Sequence, residues 1–147
     1  MTLEIRPLQP ADRAAWQPLC EGYLAFYKRP APADLVETAW SRMMDPAHPV
    51  QARGAFEDGK LLGIVHFFTH PSTLMAAPTC YLQDLFTVPE ARGKGVGRAL
   101  IARVCEEAKA QGCFRVYWHT HETNAEAQVL YNKVATRSGF IVYQCNF

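Results

Sequence analysis

The sequence predicts an α/β chain of the α+β kind. One mixed, mostly antiparallel sheet would hold a single parallel strand pair, with about four helices packed on it. Three observations carry this. Two segments before residue 45 repeat apolar residues at three- and four-residue spacing, the period of amphipathic helices. Asp58-Gly59 separates VQARGAFE from KLLGIVHFFT, the strongest short hairpin signal in the chain. CYLQDLFTV, RGKGVG, RALIARVCEEAKAQ and CFRVYWHT then follow as strand, glycine-rich turn, helix and strand, which requires a right-handed parallel crossover.

Taken in order, Leu3, Ile5 and Leu8 alternate as a first strand that Pro7 ends. Residues 11–28 read as helix, with Trp16, Leu19, Cys20, Tyr23, Leu24 and Tyr27 on one side and Pro18 as an interruption. RPAPAD is a hinge, and a second helix runs from Asp34 to Met44. After the hairpin, HPSTLMAAPT is a loop and CYLQDLFTV a central strand. The helix after the glycine turn places Ala99, Leu100, Val104 and Ala108 inward and stops at Gly112. Asn124 caps a last helix over 125–134, and GFIVYQCNF reads as a final strand. The whole span 1–147 reads as a single domain, long enough to bury about 68% of its extended surface without a disulfide or metal.

Bulk properties narrow the function. The net charge is +1 with 20% charged residues, which argues against a nucleic-acid binder. No apolar run approaches the length of a membrane span, and no leader-like start is present. Five cysteines without a C-x-x-C pair suit buried thiols in a reducing, cytoplasmic setting. His119 and His121 are two apart, but no further ligand spacing accompanies them, so no metal is expected.

The turn RGKGVG holds the densest chemical information. Amides at a helix N-terminus carry the positive end of the helix dipole and receive anionic oxygens. Gly93, Gly95 and Gly97 let the backbone wrap a phosphate, while Arg92, Lys94 and Arg98 add charge. The spacing fails G-x-x-x-x-G-K-[ST], because Arg98 and Ala99 follow Gly97. It also fails G-x-G-x-x-G, and no opening βαβ unit supports a dinucleotide fold.

From Tyr81 to Phe140 the chain resembles the GNAT superfamily of acetyl-CoA-dependent N-acetyltransferases, most closely its small Hpa-type branch. Arg92-Gly93-Lys94-Gly95-Val96-Gly97 after Val88-Pro89 matches that family's Gln/Arg-x-x-Gly-x-Gly/Ala signature, and Asn124, Ala127, Leu130, Tyr131 and Lys133 match its last-helix pattern. The resemblance implies the acyl-CoA N-acyltransferase fold, with the central parallel pair splayed, and direct transfer of acetyl from acetyl-CoA to a primary amine. It implies that Phe86, Thr87 and Val88 offer backbone groups to the pantetheine arm and that Arg92, Gly93, Lys94, Gly95, Val96, Gly97 and Arg98 take the pyrophosphate. Tyr131 occupies the family's general-acid position, and a phenol has an ordinary pKa near 10, suited to protonating a thiolate. Asn124 is a coenzyme or water contact, or simply the helix cap; Lys133 is a surface or phosphate-side charge.

The base is less direct. Related polyamine enzymes carry Glu-Asp where this chain has Gln83-Asp84, and Gln83 cannot accept a proton. Asp84 takes the proton through water, holds a cationic amine, or is structural. Simple alternation puts Tyr81, Gln83, Leu85 and Thr87 on one face of the strand and Leu82, Asp84, Phe86 and Val88 on the other. Tyr23 and Tyr27 form an aromatic wall for the acceptor or pack the core, and His119 faces the acceptor from its strand end. His66 and His70 read as sheet-surface groups. A small amine, polyamine or amino acid, is the expected acceptor; a protein or histone lysine and a non-catalytic coenzyme A sensor are the alternatives. The family's final hairpin is shortened here to TRSGFIVYQCNF, which exposes a sheet edge, and a homodimer is expected to cover it.

Overall fold

The computed structural model describes residues 2–147. Strand β1 (Glu4–Pro7) leads through a short 3-10 turn into α1 (Arg13–Phe26) and α2 (Ala33–Met44). Strands β2 (Gln51–Glu57), β3 (Lys60–His70) and β4 (Thr79–Thr87) follow, then α3 (Val96–Ala110), β5 (Val116–Tyr117) and α4 (Ala125–Val134). The sheet order is β1-β2-β3-β4-β5, antiparallel except for the β4–β5 pair. The mixed, mostly antiparallel sheet with four α-helices is the fold expected from the sequence. Asp58 and Gly59 both adopt positive φ at the β2–β3 turn, as a two-residue hairpin demands.

Helices cover both faces. On one, Trp16 and Leu19 of α1 and Val36 and Trp40 of α2 pack over Ala52, Phe56, Leu61 and Ile64. Trp16 is fully buried and lies 5.0 Å from the Trp40 ring. On the other, Leu100, Ile101, Val104 and Ala108 of α3 pack over Val65, Phe67, Cys80 and Leu82. Pro18 is carried inside α1, contrary to the expected interruption.

Three expectations need correction. The β3–β4 register slips between His66 and Phe67: His66 pairs with Asp84, but Phe67 pairs with Leu82, leaving Gln83 as a bulge. Strict alternation therefore fails. Leu82 and Leu85 both pack on the α3 side, whereas Phe86 packs on the α1 side. The strand expected over CFRVYWHT pairs only at Val116 and Tyr117, so from Leu82 to Thr87 β4 is laddered to β3 alone. The final strand over GFIVYQCNF does not form within the chain: residues 135–147 carry no strand, with Phe140 87% and Tyr143 89% exposed. A run with strong β propensity still needs a laddered neighbour, and none of the described strands supplies one.

Candidate active site

The cleft starts where β4 loses its β5 neighbour. After Thr87 the chain makes a 3-10 turn over Pro89–Ala91 and enters α3 through Arg92–Gly95. Gly93 and Gly95 have φ of +77° and +85°, the left-handed region that side chains with a Cβ avoid. The amides of Val96, Gly97 and Arg98 form the first turn of α3, where no carbonyl of the helix lies four residues earlier; the Ala99 amide is the first to bond back, donating to Gly95 O at 3.0 Å. No acidic residue stands in that turn to compete with an anion. Arg92 is tethered: its Nε donates to Thr87 O at 3.2 Å, and its guanidinium lies 5.5 Å from the Phe86 ring and 5.9 Å from the Phe26 ring.

Between this turn, the end of β4, α1 and α4 lies a cavity of about 410 Å³, within the range of small-molecule sites. Its lining brings together Tyr23, Tyr27, Phe86, Thr87, Arg92, Gly93, Gly95, Val96, Gly97, Arg98, Asn124, Tyr131 and Lys133, all singled out from the sequence. Lys94 and Val88 are not in the lining. The Val88 amide is already used, donating to Leu62 O at 2.9 Å, and its side chain packs in the core. Asn124 Oδ1 accepts from the Ala127 amide at 3.4 Å as the α4 cap, and the residue also lines the cleft.

Tyr131 packs edge-on against Trp118, with ring centroids 5.4 Å apart. Burial pushes its phenol above the ordinary tyrosine value, and the neighbouring Tyr27 adds to this. Tyr131 is therefore protonated throughout the neutral range. Tyr27 is likewise raised by burial and by Asp84, while the Asn124 side chain pulls the other way.

Asp84 lies off the cleft lining, beneath α1. One oxygen accepts from His66 Nδ1 at 2.9 Å. Burial, then the Asp84 carboxylate beside its hydroxyl, raises the Tyr23 phenol strongly. His66 was expected on the sheet surface but is buried, 7% exposed, and receives the Trp16 Nε1–H at 3.1 Å. Sequence reasoning missed it because its partners are 50 and 18 residues away in the chain. Gln83 is the exposed bulge residue. His119 meets the Tyr81 hydroxyl at 3.2 Å and stacks near Tyr81 and Tyr117, away from the cleft lining. Cys20 is pushed up to about 11 by burial, with help from Asp84 and Glu21, and Cys80 up to about 12, chiefly by burial. Both stay protonated thiols, in line with direct transfer rather than an acyl-cysteine. Among the described residues no cluster of His, Cys, Asp and Glu could hold a metal ion, and no helix is long and apolar enough to cross a membrane.

Comparisons with known proteins place the chain in a family. D-amino-acid N-acetyltransferase HPA3 of Saccharomyces cerevisiae is 34% identical over 144 residues, 97% of this chain and 89% of that protein. The uncharacterized N-acetyltransferase YhfO of Bacillus subtilis is 28% identical, over 98% of this chain and 97% of its own length. The structure of AAC(6')-Iy in complex with the bisubstrate analogue CoA-S-monomethyl-acetylneamine superposes with a TM-score of 0.86 at 18% identity, covering 100% of this chain and 99% of that one, a likeness of fold. The sequence profile described as "Acetyltransferase (GNAT) family" matches residues 15–135. The chain belongs to the GNAT family of acetyltransferases.

Proposed function

We propose that this acetyltransferase moves the acetyl group of acetyl-CoA directly to the primary amine of a small molecule, with amino acids and polyamines as the leading acceptors. The observation that carries the reading is one cleft with a glycine-lined helix N-terminus at one side and Tyr23 and Tyr27 at the other, the Asp84 carboxylate standing beside those tyrosines just behind the lining. The relationship to a D-amino-acid N-acetyltransferase over nearly the full chain favours an amino acid among small amines.

Acetyl-CoA supplies an activated thioester; the rest is placement and proton traffic. The turn amides and Arg98 hold the pyrophosphate, and the unladdered edge at Phe86 and Thr87 receives the amide-bearing arm. Asp84 receives the acceptor as its ammonium, among the rings of Tyr23 and Tyr27, and takes up its proton through water. The neutral nitrogen then forms its bond to the acyl carbon as the carbon–sulfur bond breaks, and its second proton leaves to water, giving the neutral amide. The Tyr131 hydroxyl gives its proton to the departing sulfur, and the phenolate recovers a proton from solvent. Gln83 takes no proton; its bulge turns Asp84 toward α1.

The test is acceptor-dependent release of free thiol from acetyl-CoA, measured with D- and L-amino acids, spermidine, an aminoglycoside and a lysine peptide. Release with one of the small amines is expected. Release with the peptide alone would move the acceptor to protein lysine, and coenzyme binding without release for any acceptor would favour a sensor.

We further propose that the active species is a homodimer held by residues 135–147. Exposed Phe140, Ile141, Val142 and Tyr143 form an apolar strip of a kind that monomers rarely leave in water, and the edge at β5 is open to a further strand. Light scattering should give twice 16.5 kDa. A mass of 16.5 kDa at micromolar protein would reject the dimer.

A further inference from the structure

His66 is a buried polar group that the reaction as described does not use. It stands mid-strand on β3, directly opposite Asp84, at the point where the sheet register slips. Its two ring nitrogens have different partners. Trp16 Nε1 is a donor only, and at 3.1 Å from His66 Nε2 it requires that nitrogen to be bare. The ring proton is thereby assigned to Nδ1, which lies 2.9 Å from an Asp84 oxygen and donates to it. A ring carrying both protons would set two N–H groups against each other inside a core where Trp16 has no exposed surface.

From the α1 side the Tyr23 hydroxyl also bonds to Asp84. Among the described residues no Lys or Arg lies within ion-pair reach of it. Cys20, Tyr23 and Tyr27 face it from α1, and Tyr81 from its own strand. The carboxylate side chain keeps 24% of its surface, whereas the histidine side chain keeps 9%. His66 therefore fixes one oxygen from within the sheet, while the carboxylate keeps part of its surface exposed. A carboxylate paired with arginine would be satisfied and idle; one fixed by a neutral N–H keeps its full negative charge for an incoming cation.

We infer that His66 is a positioning residue for acetyl transfer: Trp16 fixes its tautomer, and its Nδ1–H holds Asp84 in the orientation that receives the acceptor ammonium. The inference rests on the reading of Asp84 given above. It makes Trp16, His66 and Asp84 a single hydrogen-bonded line from the core to the acceptor, spanning α1, β3 and β4.

The test compares three variants by steady-state kinetics, together with the imidazole nitrogen signals of the wild-type protein. His66→Phe keeps a ring of similar bulk and removes both nitrogens. It should lower kcat/KM for the amine about thirtyfold while leaving KM for acetyl-CoA within twofold. His66→Asn places an amide N–H close to the Nδ1 position and should recover kcat/KM to within about threefold of wild type. A residue that only fills space would show the reverse order, since asparagine leaves the larger void. Asp84→Asn tests the underlying reading separately. If it retains wild-type kcat/KM, the role of Asp84 fails and this inference with it. If it is impaired while folded His66→Phe is not, the positioning role alone is overturned. Should His66→Phe not fold, nitrogen-15 spectra of wild-type imidazoles decide: a His66 proton on Nδ1 supports the line of bonds, and a proton on Nε2 overturns it.

Discussion

The glycine turn ahead of α3 and the carboxylate pocket beneath α1 adjoin the same cleft and are built in opposite ways. The turn is six consecutive residues that present backbone groups to the cleft. Its φ values of +77° and +85° at Gly93 and Gly95, and the free amides that follow, arise from local geometry. The pocket is assembled from residues 16, 23, 66 and 84, on three elements, and works through side chains. A donor common to a whole family suits a rigid backbone cradle. An acceptor that differs between relatives suits side chains that exchange one at a time. The difference predicts that the two halves can be damaged independently.

The largest effect should come from the group that stands between them. Tyr131→Phe is expected to lower kcat about a hundredfold with little change in either KM, as loss of a general acid does. Rapid-quench single turnovers would separate this from slow product release. Because burial raises the Tyr131 phenol, it stays protonated at pH values where a free tyrosine begins to ionise, near 10. Wild-type kcat should then show no tyrosine-dependent fall below about pH 10, and an alkaline decline centred near 9 would speak against it.

The next effects should split the halves. A Cβ at Gly97 would meet Leu130, Leu85 and Thr87 at 3.5–3.9 Å, ordinary contact distances, so the fold has room for it. That methyl nevertheless stands in the cleft lining. Gly97→Ala should raise KM for acetyl-CoA about tenfold, worth about 1.4 kcal/mol, and leave the melting temperature within a degree or two. Arg98→Ala should raise the same KM by a similar factor, and more weakly at high salt, since a phosphate contact is screened. Equal losses for acetyl-CoA and for the amine in these variants would erase the distinction between the halves.

The smallest effect lies outside both. Arg6 donates to Asp12 at 2.8 and 3.0 Å and holds that carboxyl below its ordinary value, fixing β1 to the entry of α1. A depressed carboxyl contributes stability above its unfolded pKa, near 3.9, and loses it as pH falls through the folded value. Asp12→Asn should therefore lower the melting temperature by a few degrees at pH 7, with the gap to wild type closing below pH 3. Catalysis should not change.

What was readable in the sequence follows the same division. Gly93, Gly95 and the charges around them are adjacent in the chain, so spacing marked the turn as an anion site and the family resemblance named its ligand. Tyr131 and Asn124, seven residues apart, followed from the last-helix pattern of the family resemblance. Asp84 was visible only as a carboxylate in an apolar strand, and neither its partner nor its direction could be read. Both depend on a bulge at Gln83, created by pairing with a strand some eighteen residues earlier. His66 looked like a surface residue because alternation alone cannot tell which face a helix will cover. The segment from Phe140 to Tyr143 has a strand's composition, yet no described strand pairs with it. The Asp58-Gly59 hairpin was legible for the opposite reason: its two strands meet across two residues.

One experiment tests the central claim most directly: KM for acetyl-CoA and for the preferred amine, measured in the same thiol-release assay for wild type, Gly97→Ala and Asp84→Asn. Gly97→Ala is predicted to weaken acetyl-CoA alone, and Asp84→Asn to lose at least tenfold in kcat/KM for the amine alone. If Gly97→Ala leaves acetyl-CoA unaffected while Asp84→Asn retains full activity on the amine, the cleft is not where the two substrates meet, and the assignment of its two sides is wrong.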